Sequence, residues 1–318
     1  MSDKDFEPPS SLRSPRKSGI FAGFVFLKDI ASLIPRIASL IMKIMIRAWR
    51  LTPTQVISLD VRATSLDEVT RQLPEGYYST FRTFEEARRV LGLNSHLQRL
   101  YGPVPMPDVD ESRLRRELFA LLEPYRPGEA RVRATMTKQG QAFLTIESLQ
   151  PLPRKVYEDG VRVETTELQR ESPRLKSTTF IERSDTERRH IAKEGIFEAL
   201  LVKDRNILEG MTSNFFYVRQ VDNLPYIGTA RDHILLGITR ETVIDLARGR
   251  GLEIQYEPLK QDQLSSIQEA FITSSSRGIV PVVKIDDVTL GQGIPGPITK
   301  DLMSAFEAYV IEKAEPIL

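Results

Sequence analysis

Residues 198–218, EALLVKDRNILEGMTSNFFYV, restrict the fold more than any other stretch of the chain. Apolar, β-branched and aromatic runs this short are strand-length rather than helix-length. EALLV and NFFYV bracket a KDRN turn as a strand pair, and ILEGMTSNFFYV reads as strand, break, strand. The break sets Glu209 among Ile, Leu and Phe and follows it with Gly, Met, Thr, Ser and Asn. Taken locally, that carboxylate is either a surface residue out of place or a functional group.

From Val56 onward the pattern is that of a compact α/β protein without internal repeats. TSLDEVTRQLPEG offers a Ser65/Glu68 capping box, a short helix and a Pro and Gly to stop it. YYSTFRTF reads as a strand, NSHLQRLYG as a short helix, and Glu111 to Leu122 as an amphipathic helix through Leu114, Leu118, Leu121 and Leu122. ARVRATMT and AFLTIESL flank KQGQ as a hairpin, with Val132, Ala134 and Met136 on one face and Arg131, Arg133 and Thr135 on the other. A polar stretch, 154–172, reads as the connection between a first domain, 55–153, and a second, 173–318. In the second, SDTERRHIAKEG carries a Ser184/Glu187 box and a closing Gly195, and GITRETVIDLARGRG starts a helix at Thr239. EAFITSSSRGIVPVVKID is a strand, a hydroxyl-rich turn and a strand, and Ile298 to Val310 is a final amphipathic helix.

The first fifty residues differ in kind. Residues 1–18 are polar and rich in Pro and Ser, as disordered tails are. In the apolar stretch that follows, the longest uncharged run, Ser18 to Leu27, is ten residues; spanning a bilayer takes roughly 20. At helical spacing, residues 19–50 form a basic amphipathic helix with Trp49 near its end. Two readings of it stay open: a peripheral membrane anchor, or a helix packed on the body or a partner. A third is that the true start lies at Met42 or Met45. The expected location is the cytoplasm, with membrane contact through residues 19–50 as the open alternative.

Composition narrows the chemistry. With 44 Lys and Arg against 43 Asp and Glu, nothing favours a phosphate backbone, so a small-molecule substrate is expected and no nucleic acid. There is no cysteine and there are only three histidines, which leaves no thiolate chemistry and argues against a metal centre. Lys, Arg, carboxylates, hydroxyls or a cofactor must do the work. Three features offer themselves. LGITR places free backbone N–H groups at a helix start, where an anion could rest, although plain capping by Thr239 is the commoner role. TSSSRG puts a run of hydroxyls at a strand end, suited to the same anion or to a solvated turn. Lys176, between Leu175 and STTF, could be desolvated into a nucleophile or could be a surface lysine.

Taken in order, Lys176, EALLV…ILEGMTSNFF, LLGITR and FITSSSRGIVPV resemble the fold-type IV pyridoxal-phosphate enzymes. That family comprises branched-chain aminotransferases, D-amino acid aminotransferases and 4-amino-4-deoxychorismate lyases. The resemblance runs from about Val56 to the C-terminus. It implies an α+β fold with a small N-terminal domain, a larger C-terminal domain with a pseudo-barrel β core, and a homodimer. It also implies pyridoxal 5′-phosphate held as a Schiff base on Lys176, with Glu209 pairing the pyridine nitrogen and Leu235 against the ring. Ile238, Thr239 and Ser275 match positions that hold the cofactor phosphate. HLQRL resembles the family's HLxRL, which makes Arg99 a further phosphate ligand. EGYYSTFRT resembles GDGVYExxR and brings Tyr78 to the site. Arg133, Thr212 and Ser276 fall on the substrate side.

The chain also departs from its relatives. Thr179 stands where most carry Asn, and Ile196 where branched-chain enzymes have a Tyr near the cofactor oxygen. The Arg and His that trap the substrate carboxylate in D-amino acid enzymes are not visible after RATMT. The expected activity is transfer of an amino group from a small, branched-chain amino acid to 2-oxoglutarate. The alternatives are aminodeoxychorismate lyase chemistry, eliminating pyruvate, and a non-catalytic membrane-tethered relative.

Overall fold

The structure is a computed structural model and describes residues 46–222 and 224–318. The expected tail, nearly all of the expected N-terminal helix and the alternative start sites lie outside the described residues. Where that helix was expected to end, the chain is instead a strand. Arg47–Leu51 forms β1, with Trp49 and Leu51 packed on one face and Ile46 and Ala48 on the other. Pairing along a neighbouring strand overrides the helical spacing, because period-two alternation buries both faces.

Six further strands join β1 in one antiparallel sheet: β2 (Val56–Leu59), β3 (Gly76–Phe84), β4 (Arg89–Val90), β5 (Ala130–Thr137), β6 (Ala142–Ser148) and β17 (Glu315–Pro316). Their order is β17-β4-β3-β5-β6-β1-β2. Helices α1 (Leu66–Arg71), α2 (Leu93–Tyr101) and α3 (Glu111–Leu121) accompany it. The capping box of α1 forms with a variation. Ser65 Oγ accepts from Glu68 N at 3.2 Å, while the Glu68 carboxylate reaches back one residue further, to Thr64 N at 2.6 Å.

The second sheet comprises β7 (Val161–Thr166), β8 (Glu198–Lys203), β9 (Asn206–Gly210), β10 (Asn214–Val221), β11 (Leu224–Gly228), β12 (Glu253–Gln255), β13 (Leu259–Lys260), β14 (Glu269–Ser274), β15 (Gly278–Ile285) and β16 (Val288–Thr289). Pairing of Asn214 with Glu209 joins β10 to β9 and closes β10-β14-β15-β7-β8-β9 into a six-strand ring. The ring interior is filled by alternate residues of all six strands, among them Val163, Leu200, Ile207, Phe215, Ile272 and Val282. The intervening residues Phe216, Val218, Phe271 and Ile279 face outward and pack against α7 (Ile238–Gly249) and α8 (Pro297–Lys313).

Three sequence expectations change here. The polar stretch 154–172 is no mere connection: α4 (Arg154–Glu158) and β7 lie within it, and β7 is a ring strand parallel to both neighbours. Its apolar face is only Val161 and Val163, and Arg162 between them and Glu164 after them disguise it. The KDRN turn joins β8 to β9 rather than to NFFYV, which is the third strand of a meander. The Ser184/Glu187 box also fails to form. A short helix, α5 (Thr179–Arg183), runs almost directly into α6 (Asp185–Glu194), and Ser184 between them keeps near-helical dihedrals of −87° and 3°. Its hydroxyl donates to Ile181 O at 3.2 Å and accepts from Arg188 Nε at 2.9 Å.

Candidate active site

The tight β9–β10 connection places Glu209 inside the protein, 2 % exposed. Leu235 N donates to Glu209 Oε2 at 3.0 Å, Asn214 Nδ2 donates to the same oxygen at 3.3 Å, and Arg170 Nε donates to Oε1 at 2.8 Å. Arg170 is itself fixed by Met211 O at 2.6 Å and by stacking on Phe180, its Cζ 3.9 Å from the ring centre. Burial pushes the Glu209 carboxyl up to about 7, against the opposing pull of Arg170, the Leu235 N–H and Lys176.

Lys176 lies in a short irregular link stitched to β3. Tyr78 N donates to Lys176 O and Thr178 N to Gly76 O, each at 2.9 Å. The Lys176 amine lies 5.1 Å from the centre of the Tyr78 ring. Desolvation, and then the charges of Arg99, Arg133 and Arg170, pull its pKa well below the usual lysine value; Glu209 opposes them. A neutral amine is the form that can attack an aldehyde. Thr179, standing in for the relatives' Asn, bonds to Ser177 through the two hydroxyls at 2.8 Å.

At the other end of the cavity α7 begins one residue earlier than expected, with Gly237 as its N-cap. A Cβ at Gly237 would sit 2.1 Å from Asn214 Oδ1, so only glycine lets the chain pass the Asn214 side chain that steadies Glu209. Thr239 makes no capping bond; its hydroxyl lies 3.5 Å from Ser275 Oγ. The first N–H groups of the helix have no intrahelical partner and carry the positive end of its dipole. Arg99 reaches the same corner and bonds to Leu236 O. Thr273 Oγ1 is buried nearby with no hydrogen-bond partner among the described residues.

Much of the polar lining lies on the remaining wall. Arg133, 7 % exposed, donates through Nε to Thr80 Oγ1 at 3.0 Å and through Nη1 to Asp67 Oδ1 at 2.7 Å and Thr70 Oγ1 at 2.9 Å. Its Cζ lies 4.6 Å from the Tyr78 ring centre, so Tyr78 has both Lys176 and Arg133 as neighbours. Opposing this group, Thr212 donates to Glu198 Oε2 at 2.7 Å, and Arg277 Nη2 binds the same oxygen at 2.8 Å.

Every candidate site residue proposed from the sequence lines one cavity of about 290 Å³: Lys176, Arg99, Glu209, Leu235, Ile238, Thr239, Ser275, Tyr78, Arg133, Thr212 and Ser276. Sequence reasoning missed Arg170, Asp67 and the Glu198–Arg277 pair. Arg170 was hidden in a charged stretch read as linker, with its carboxylate 39 residues on. Chemically, the cavity offers an anion pocket at one end, a carboxylate at the other and, in its wall, a lysine whose pKa burial and neighbouring arginines hold well below the usual value. That donor set fits pyridoxal phosphate, whose phosphate needs cationic and N–H donors and whose ring nitrogen needs a proton-holding partner.

Comparison with known proteins agrees. The family model for amino-transferase class IV matches residues 76–285. D-alanine aminotransferase of Bacillus licheniformis is 27 % identical over 79 % of this chain and 93 % of its own. The branched-chain-amino-acid aminotransferase of Salmonella typhimurium is 34 % identical over 37 % of each chain. Among solved structures, the pyridoxal-phosphate-bound form of a hypothetical aminotransferase from Mycobacterium tuberculosis superposes with a TM-score of 0.66 at 19 % identity, over 84 % of this chain and 99 % of that one. With two thirds of its length inside the family model, the chain belongs to the class IV aminotransferases and is a pyridoxal-phosphate enzyme.

Proposed function

We propose that this enzyme transfers the amino group of a small, branched-chain amino acid to 2-oxoglutarate, with Lys176 as both the covalent anchor of the cofactor and the proton carrier. The observation that carries the proposal is the position of Lys176, a depressed-pKa amine in one cavity with a buried carboxylate and a phosphate-type corner. When bound, the cofactor supplies an electron-accepting ring. Glu209, fixed by Arg170 and the Leu235 N–H, would keep a proton at the ring nitrogen. Arg99, Thr239, Ser275 and the start of α7 would hold the phosphate, with Ile238 contributing backbone. Leu235 would lie against the ring. Lys176, when not bonded to the cofactor, would be the base near the substrate Cα. Leu66, Tyr78, Ile191, Phe197 and Met211 line the substrate side and suit an apolar side chain, while Arg133 supports a carboxylate there.

The test is direct. Purified enzyme given L-leucine and 2-oxoglutarate should form glutamate, and a Lys176→Ala variant should not. Pyruvate release from aminodeoxychorismate, with no glutamate formed by the wild type, would move the enzyme to the lyase branch.

A further inference from the structure

The cavity wall contributed by α1, β5 and α6 sets two guanidiniums around one carboxylate. Asp67 Oδ1 lies 2.7 Å from Arg133 Nη1 and Asp67 Oδ2 lies 3.0 Å from Arg188 Nη1. Ser184 Oγ accepts from Arg188 Nε at 2.9 Å, which aims that side chain. All three charged side chains line the cavity. Arg131, beside them, is matched by Glu147 at 2.5 Å and adds no net charge. The wall therefore carries a surplus of one positive charge. Burial works against the Asp67 carboxylate, but Arg133 and Arg188 outweigh it and hold its pKa below the usual range.

We infer that Asp67 is a resident counter-ion that sets how strongly this wall prefers a substrate with a second carboxylate over one with an apolar side chain. This rests on the aminotransferase reading, in which one site takes a branched-chain amino acid and a dicarboxylic 2-oxo acid in turn. With a dicarboxylate bound, two positive charges face two negative ones. With an apolar side chain bound, the surplus is a single charge that Asp67 keeps from becoming two. Like charges without a counter-ion in a desolvated wall repel and penalise an apolar neighbour. Asp67 thus holds the two affinities close enough for each substrate to bind and leave. Removing it should favour the dicarboxylate, and removing Arg188 should do the opposite.

Glutarate and 4-methylpentanoate, the deamino analogues of glutamate and leucine, are the probes, titrated calorimetrically into the holoenzyme. Asp67→Asn should tighten glutarate roughly tenfold without tightening 4-methylpentanoate, and Arg188→Met should weaken glutarate roughly tenfold with little change in the other probe. Opposite shifts confined to one probe are not what general loosening produces, and Arg188→Met decides the matter should Asp67→Asn fail to fold. Equal shifts of both probes, or wild-type enzyme that binds neither, would overturn the inference. A wild type that makes no glutamate yet shows the split would sink the proposed transfer to 2-oxoglutarate, while the dependence of the wall's preference on Asp67 would stand as a binding property alone.

Discussion

Glu209 keeps its place inside the protein because three donors converge on its two oxygens. The cost of burial still shows in a pKa raised from 4.5 to about 7. The folded chain therefore holds this proton more tightly than the unfolded one. Stability from that source is complete below pH 4.5 and lost as pH rises through about 7. In cofactor-free protein, wild type should lose on the order of 2–3 kcal/mol relative to Glu209→Gln across that window, measured by urea titration at each pH; parallel curves would contradict it. In the holoenzyme, Glu209→Gln should keep the cofactor's visible colour but lose roughly 10²-fold in kcat, and unchanged turnover would remove Glu209 from the mechanism. The sequence disclosed this residue, because a carboxylate among Ile, Leu and Phe is out of place. It did not disclose Arg170 or Asp67, whose partners are brought close only by the closing of the ring and the packing of α1 on β5.

Among the elements, the ones legible in the sequence were those whose signals are local. Ser65 caps α1 because a loop precedes it, whereas Ser184 follows a helical turn and its hydroxyl is taken by Ile181 O and Arg188 Nε. Strand β7 escaped notice because pairing with β8 and β15, and not its own composition, makes it a strand. The start of α7 is the element with most at stake. Gly237→Ala would drive a methyl into Asn214 Oδ1 and disturb both the helix start and the Glu209 clamp. Cofactor affinity, followed by absorbance titration, should fall at least tenfold relative to wild type; an unaltered titration would show that the corner tolerates displacement.

The cavity belongs to neither sheet alone. Tyr78, Thr80 and Arg133 come from the first sheet and Glu209, Thr273 and Ser274 from the second, while α1, α2 and α7 supply Asp67, Arg99 and Thr239. Stability of the ring is therefore a condition of function. Phe215, 1 % exposed in the ring interior, should cost about 3–5 kcal/mol when truncated to Ala, and a loss under 1 kcal/mol in denaturant titration would mean the interior is loosely filled. A homodimer remains proposed, and light scattering should give twice the 36.2 kDa chain mass. All of this depends on the cofactor's attachment point. Borohydride reduction of the holoenzyme, followed by peptide mapping in a mass spectrometer, should find the phosphopyridoxyl group on Lys176; the label on another lysine, or on none, would contradict the account.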